Sequence, residues 1–146
     1  MLGYSMIALH NPKTGENVGG ALRAAHIYGA AGVIVDGPRQ NNLIQHPTNT
    51  MKAHKHVPVT WVADLFDALP YDCVPVAVDL VDDATALPSY KHPERAVYIF
   101  GAEDATLGKL TLSRCRDKIY VPMNGCMNLA ACVNVVLYDR LAKSTN

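Results

Sequence analysis

The 146-residue sequence predicts an α/β fold, a mostly parallel sheet with helices on both faces. Three observations carry that expectation. Residues 74–80 and 97–100 are short runs of near-continuous apolar character, as in strands buried on both faces. Such runs alternate along the chain with amphipathic stretches long enough to be crossover helices, 18–28 and 129–143. Finally, 49% of the residues are apolar and no segment is uniformly polar, so residues 1–146 read as one domain with a core of its own.

Taken in order, strands are expected at 4–9, 32–36, 57–61, 74–80, 97–100 and 119–123, and a short helix at 62–69. The closing helix places Leu129, Val133, Val136, Leu137 and Leu141 on one stripe, with Asp139, Arg140 and Lys143 off it. Residues 82–94, with Pro88 and Pro93, read as a connecting loop.

Lys plus Arg and Asp plus Glu both number 13, so the net charge points to no partner. A nucleic-acid footprint would have to be local, and the candidate basic spots are Lys13 with Arg23 and Arg39, and residues 52–56. The four cysteines, Cys73, Cys115, Cys126 and Cys132, form no C-x-x-C pair and are expected as reduced thiols. Six histidines show no ligand spacing, so no metal is expected. The apolar stretches break at Pro, Asp or Asn well before about 18 residues, and the first nine residues lack a basic region and cleavage site. The expectation is a cytoplasmic protein without a membrane partner.

Asn17 stands where an N-cap would, and Gly19 and Gly20 then fall in the first helical turn, each costing about 1 kcal/mol relative to alanine. Tolerating that cost predicts a close approach. Val18, Ala21, Leu22 and Ala25 define the buried face, leaving Arg23 beside it for solvent, a substrate or another subunit. Gly15 and Gly20 with Asp36 also fit a Rossmann-like oxidoreductase, but Asn17 replaces the middle glycine of G-x-G-x-x-G, where its side chain obstructs a pyrophosphate.

Near the end of the chain, Ile99-Phe100-Gly101-Ala102-Glu103 runs from a strand into a glycine and a carboxylate. Val121-Pro122-Met123-Asn124-Gly125-Cys126-Met127-Asn128 is a strand end, a glycine loop and a helix start. Ligands of open parallel sheets bind at such strand carboxyl ends, where backbone groups near Gly101 and Gly125 suit an adenine edge. Taken singly, Asn128 also reads as a plain N-cap, Glu103 as a solvated loop acid and Cys126 as a small buried filler.

Three segments, Asn17-Val18-Gly19 through Arg23, Phe100-Gly101-Ala102-Glu103, and Val121-Pro122-Met123 through Asn128-Leu129-Ala130, resemble the three ordered motifs of the SpoU/TrmH-type RNA 2′-O-ribose methyltransferases of the SPOUT superfamily. The resemblance spans nearly the whole chain. It implies a C-terminal deep trefoil knot, a bent S-adenosylmethionine as cofactor, RNA as substrate and a homodimer with composite active sites. In length the chain is similar to the minimal members that methylate the wobble nucleotide of tRNA, which favours tRNA over rRNA.

By that resemblance the catalytic set is Arg23, Asn17, Glu103 and Asn128, and the cofactor-binding set is Val78, Phe100, Gly101, Val121, Met123, Gly125, Cys126 and Leu129. Two departures stand out. The usual serine of a Ser-x-Asn pair is Cys126, a weak hydrogen-bond donor, and the second motif continues as Asp104-Ala105-Thr106-Leu107 where glycines are usual. A relative that keeps the fold and RNA binding without turnover is therefore the second alternative to an active methyltransferase.

Methyl transfer to a ribose oxygen is an in-line displacement requiring alignment at about 3 to 3.5 Å and loss of the hydroxyl proton. A guanidinium ionises above about 12, and lowering that by five units costs roughly 7 kcal/mol, so alkoxide stabilisation is the preferred role for Arg23 over general base. Asn17, Asn128 and Glu103 are expected to orient Arg23 and the RNA backbone.

Overall fold

The computed structural model describes residues 3–45 and 55–144. Of the basic spot at 52–56, Lys52 and His54 lie outside the described residues. The strands are β1 (Tyr4–His10), β2 (Val33–Asp36), β3 (Val59–Trp61), β4 (Val74–Val78), β5 (Thr85–Ala86), β6 (Arg95–Phe100) and β7 (Asp117–Tyr120). They form a single sheet in the order β3-β2-β1-β6-β4-β7-β5, with every pair parallel. The helices are α1 (Gly15–Tyr28), α2 (Gln40–Gln45), α3 (Lys109–Ser113) and α4 (Leu129–Ser144), with 3-10 turns at Leu65–Ala68 and Leu87–Ser89.

The two-residue period of a strand explains the layering. Ile7, Leu9, Val33, Val35, Tyr98 and Phe100 face α1 and α4, meeting Val18 and Leu22 of one and Val133 and Leu137 of the other. Their neighbours Met6, Ala8, Ile34, Val97 and Ile99 pack on the opposite side against Leu65 and Leu107. The central strands thus have two dry faces, as their unbroken apolar runs predict.

Four expectations need correction. Asn17 is not the N-cap of α1. Thr14 is, its Oγ1 accepting the Asn17 N–H at 3.2 Å, and the helix begins three residues earlier than the apolar stripe suggests. β7 begins at Asp117 and ends at Tyr120, so Val121 is the first loop residue, just before Pro122, which has no N–H for a ladder. The 82–94 segment contains β5, too short for its pattern to be read in sequence. Arg140, expected off the buried stripe of α4, is only 5% exposed.

The close approach predicted at the α1 glycines is made by α4, since a Cβ on Gly20 would lie 2.5 Å from the Cβ of Ala130. At its other end α4 is clasped to the segment before β6. Arg140 donates to the Pro93 and Glu94 carbonyls, both at 2.7 Å, and to the Tyr98 hydroxyl at 2.9 Å. His92 bridges that hydroxyl (2.6 Å) and Asp139 (2.7 Å), and Lys143 donates to Asp139 and to the carbonyls of Leu87 and Tyr90.

Burial outweighs the Asp139 carboxylate here and lowers the His92 pKa below its ordinary 6.5, so the folded chain favours the neutral ring. Below that pH the unfolded chain binds the proton more readily, and stability falls as the pH drops from 6.5 towards the folded value. His10, whose pKa is raised chiefly by its hydrogen bond to Asp36, contributes with the opposite sign, losing stability as pH rises. The expected result is a melting temperature that falls between about pH 7 and pH 5 more steeply in wild type than in His92→Gln. Parallel melting curves would remove His92 as the source.

Candidate active site

Four chain segments meet at the carboxyl edge of the central strands: the end of β4 and the loops β1–α1, β6–α3 and β7–α4. Between them is a cleft of about 840 Å³ lined by Val78, Val121, Met123, Gly125 and Cys126. An adjoining recess of about 150 Å³ is lined by Phe100, Gly101 and Leu129, and Val78 belongs to both. All eight residues expected to hold a cofactor therefore line one or other of two adjoining spaces at the same sheet edge. Gly125, at φ +95°, makes a left-handed turn in the outer loop that other residues rarely adopt. A second cavity, of about 610 Å³, opens at the amino edge beside His92, Arg140 and Lys143, whose polar groups are already engaged in the α4 clasp.

Sequence reasoning missed further lining residues, among them Asp79, Met127 and Cys132. Asp79 follows β4 at its carboxyl end, a position that could have flagged it, and accepts the Leu107 N–H at 3.1 Å. Met127 and Cys132 line both spaces. Burial pushes the Cys132 thiol up to about 11, so it is an unreactive wall. Cys126, by contrast, is exposed in the cleft and is not a buried filler.

At the lip of the cleft the three motifs are joined by side chains. Asn17 Nδ2 donates to Glu103 Oε2 at 2.6 Å, and Asn128 Nδ2 donates to Asn17 Oδ1 at 3.0 Å. Asn128 Oδ1 in turn accepts the Ala131 N–H at 3.1 Å, so this residue caps α4 as well. The direction of the chain is set by chemistry. An ionised carboxylate only accepts, which turns the amide of Asn17 towards Glu103 and its oxygen towards Asn128.

Glu103 also accepts the Lys13 N–H at 2.9 Å and the Thr14 hydroxyl at 3.4 Å. Burial alone would raise its pKa. The Lys13 N–H and the Asn17 amide outweigh that and keep the carboxyl below its ordinary range, so it carries a negative charge at neutral pH. Exposed as it is, Glu103 is a fixed anion and not merely a solvated one.

This arrangement also removes the Rossmann reading. The Asn17 N–H in the first turn of α1 is taken by Thr14, and the Glu103 carboxylate, held on the Lys13 N–H just before the helix, puts a negative charge where a pyrophosphate would sit. Asp36 is buried and accepts from His10 Nδ1 (2.8 Å) and the Leu65 N–H (2.9 Å), leaving it no role on a ribose.

Arg23 is not brought to the relay. Six residues beyond Asn17, it lies about 9 Å along α1 and about 120° around it, on the exposed side. Among the described residues no hydrogen bond or ion pair engages its guanidinium.

An all-parallel sheet with a loop-walled cleft at its carboxyl edge defines an α/β protein built to hold a small ligand beside strand ends. Residues 4–138 match the SpoU rRNA Methylase family, and the chain belongs to that family. It is 28% identical to the 23S rRNA (guanosine-2′-O-)-methyltransferase RlmB of Acinetobacter baylyi, over 92% of this chain and 58% of that protein. Among solved structures it is similar to the SpoU methyltransferase AviRb of Streptomyces viridochromogenes in complex with AdoMet, with TM-score 0.81, 19% identity, and coverage of 100% of this chain and 60% of that one. A structure described as giving insight into the 2-OH methylation of C/U34 on tRNA matches with TM-score 0.79 and 23% identity, over 98% of this chain and 97% of that one. The chain thus spans about three fifths of the first two relatives and nearly all of the third.

Among the described residues no helix is long and apolar enough to cross a membrane, and no group of His, Cys, Asp and Glu is arranged to hold a metal ion.

Proposed function

We propose that this chain transfers a methyl group from S-adenosylmethionine to a ribose 2′-hydroxyl of RNA, with tRNA favoured over rRNA, and that it acts in the cytoplasm as a homodimer. The observation that carries the reading is the Asn128–Asn17–Glu103 relay, which ties the three motif segments together at the mouth of the cleft. Family membership supports the reaction class, and the near-complete overlap with the tRNA-linked structure supports the substrate.

The residues present fit the cofactor. Val78, Phe100, Val121 and Leu129 offer apolar walls to a purine, the main chain of the β7–α4 loop offers groups for its edge, and Glu103 offers a negative charge to a sulfonium. When bound, the cofactor supplies an electrophilic methyl group. The chain supplies placement: the relay fixes the lip across which the ribose reaches that methyl, and the Arg23 guanidinium stabilises the alkoxide forming at the 2′-oxygen.

Arg23 is off the relay of its own chain, which supports a composite site. Ile27, 65% exposed on α1, and Tyr138, 58% exposed on α4, give its side of the molecule an apolar face suited to a second copy. The strand order also supports a C-terminal knot, because β7 inserts between β4 and β5, two strands that precede β6 in the chain.

The test is incorporation of labelled methyl into separated tRNA and rRNA. The expected result is 2′-O-methylation of tRNA, reduced about 10²-fold in Glu103→Gln, which loses the fixed charge and replaces an acceptor with an amide. Cofactor binding without transfer to any RNA would leave the fold-conserved, inactive relative as the answer.

A further inference from the structure

The 101–107 loop forms one wall of the cleft through Gly101, Glu103 and Ala105. It is tightly curled. The Ala105 N–H donates to the Ala102 carbonyl at 3.2 Å, and a Cβ on Gly101 would meet the Ala105 carbonyl at 3.2 Å and the Leu107 nitrogen at 3.3 Å. Glu103 fastens it to the β1–α1 loop, and Leu107 fastens it to Asp79.

A third fastening comes from a part of the chain that does not touch the cleft. Arg39, in the turn after β2, spreads its guanidinium across both oxygens of Asp104, with Nη2 to Oδ2 at 3.1 Å and both Nη atoms at 3.3 Å from Oδ1. The turn carrying Arg39 is itself built to hold it. The Arg39 N–H donates to Asn11 Oδ1 at 3.2 Å, Asn11 sits at φ +54°, and Gly37, at φ +101°, lies so near that a Cβ there would be 2.5 Å from that of Asn11. A side chain held by such a turn and paired in bidentate fashion is pre-organised in a way that ordinary surface arginines are not.

We propose that Arg39 is a positioning residue for the cofactor cleft, holding through Asp104 the loop that presents Gly101 and Glu103 to the ligand. The inference rests on the reading of the cleft as the S-adenosylmethionine site. It also gives Asp104 a purpose: where a glycine would leave the loop free, the aspartate ties it to β2. The guanidinium keeps the Asp104 carboxyl below its ordinary range, so the pair is charged at neutral pH.

Both side chains are partly exposed, 35% for Arg39 and 42% for Asp104, so the expected effect is modest. Calorimetric titration of S-adenosylhomocysteine, without RNA, should give a Kd raised about three- to five-fold in Arg39→Ala. The exchanged pair Arg39→Asp/Asp104→Arg should return it to within about two-fold of wild type, a rescue that loss of packing alone would not produce. An unchanged Kd in Arg39→Ala, or an exchanged pair no better than Arg39→Ala, overturns the proposal alone. Wild-type protein that does not bind S-adenosylhomocysteine overturns the cleft assignment and this proposal with it.

Discussion

Replacing Arg23 with lysine is expected to lower the single-turnover rate of methyl transfer by about 10²-fold while leaving the affinity for S-adenosylhomocysteine close to wild type. Lysine keeps the charge but loses the planar fork, which alone can hold a phosphate and a developing 2′-alkoxide together. Cofactor affinity is spared because the proposed role of Arg23 is on the ribose and its phosphate, not on the cofactor. A rate near wild type would remove every role that depends on the fork. The composite site yields a sharper form of the same prediction. Co-expressed Arg23→Ala and Glu103→Gln chains, each reduced about 10²-fold or more as a homodimer, should recover roughly a quarter of wild-type activity, because half the dimers are mixed and each mixed dimer has one intact site. No recovery, despite mixed dimers being present, would place Arg23 with the cleft of its own chain.

The sheet was legible in the sequence because its central strands are dry on both faces, and that leaves a run of apolar residues no solvent-facing alternation can imitate. β5, with two residues, and α2, with Leu43 its single buried apolar residue, carry too little pattern to be read. Asn17 misled for a related reason. Asparagine is a good N-cap by composition, but Thr14 takes the cap, and that frees the Asn17 side chain for the relay. The cleft residues were legible as motif positions at strand ends. What no spacing shows is the contact itself, for Asn17 lies 86 residues from Glu103 and 111 from Asn128. Arg39 and Asp104, 65 residues apart, were read separately as a basic spot and a departure from pattern, and only the fold makes them a pair.

The other end of α4 should dominate stability, and Arg140→Ala is expected to cost about 3 to 5 kcal/mol. The substitution removes the donor to two carbonyls and to Tyr98, a residue fully buried in the core, and leaves a void where the guanidinium lay 5.9 Å from the Tyr98 ring. For a chain of this length that corresponds to a fall of roughly 10 to 15 °C in melting temperature. Arg140→Met separates the causes, since it fills most of the space while donating nothing, and should recover only a minor part of the loss. If methionine restores the wild-type melt, packing and not hydrogen bonding holds the helix. The consequence reaches the active site because the same helix begins at Asn128 and Leu129, and its register on the sheet is set jointly by the Gly20–Ala130 contact and the Arg140 clasp. Well below its melting temperature, Arg140→Ala should therefore bind S-adenosylhomocysteine more weakly than wild type, although Arg140 touches neither the cleft nor the relay. Unchanged affinity at that temperature would mean that Gly20 and Ala130 fix the register without help from the far end.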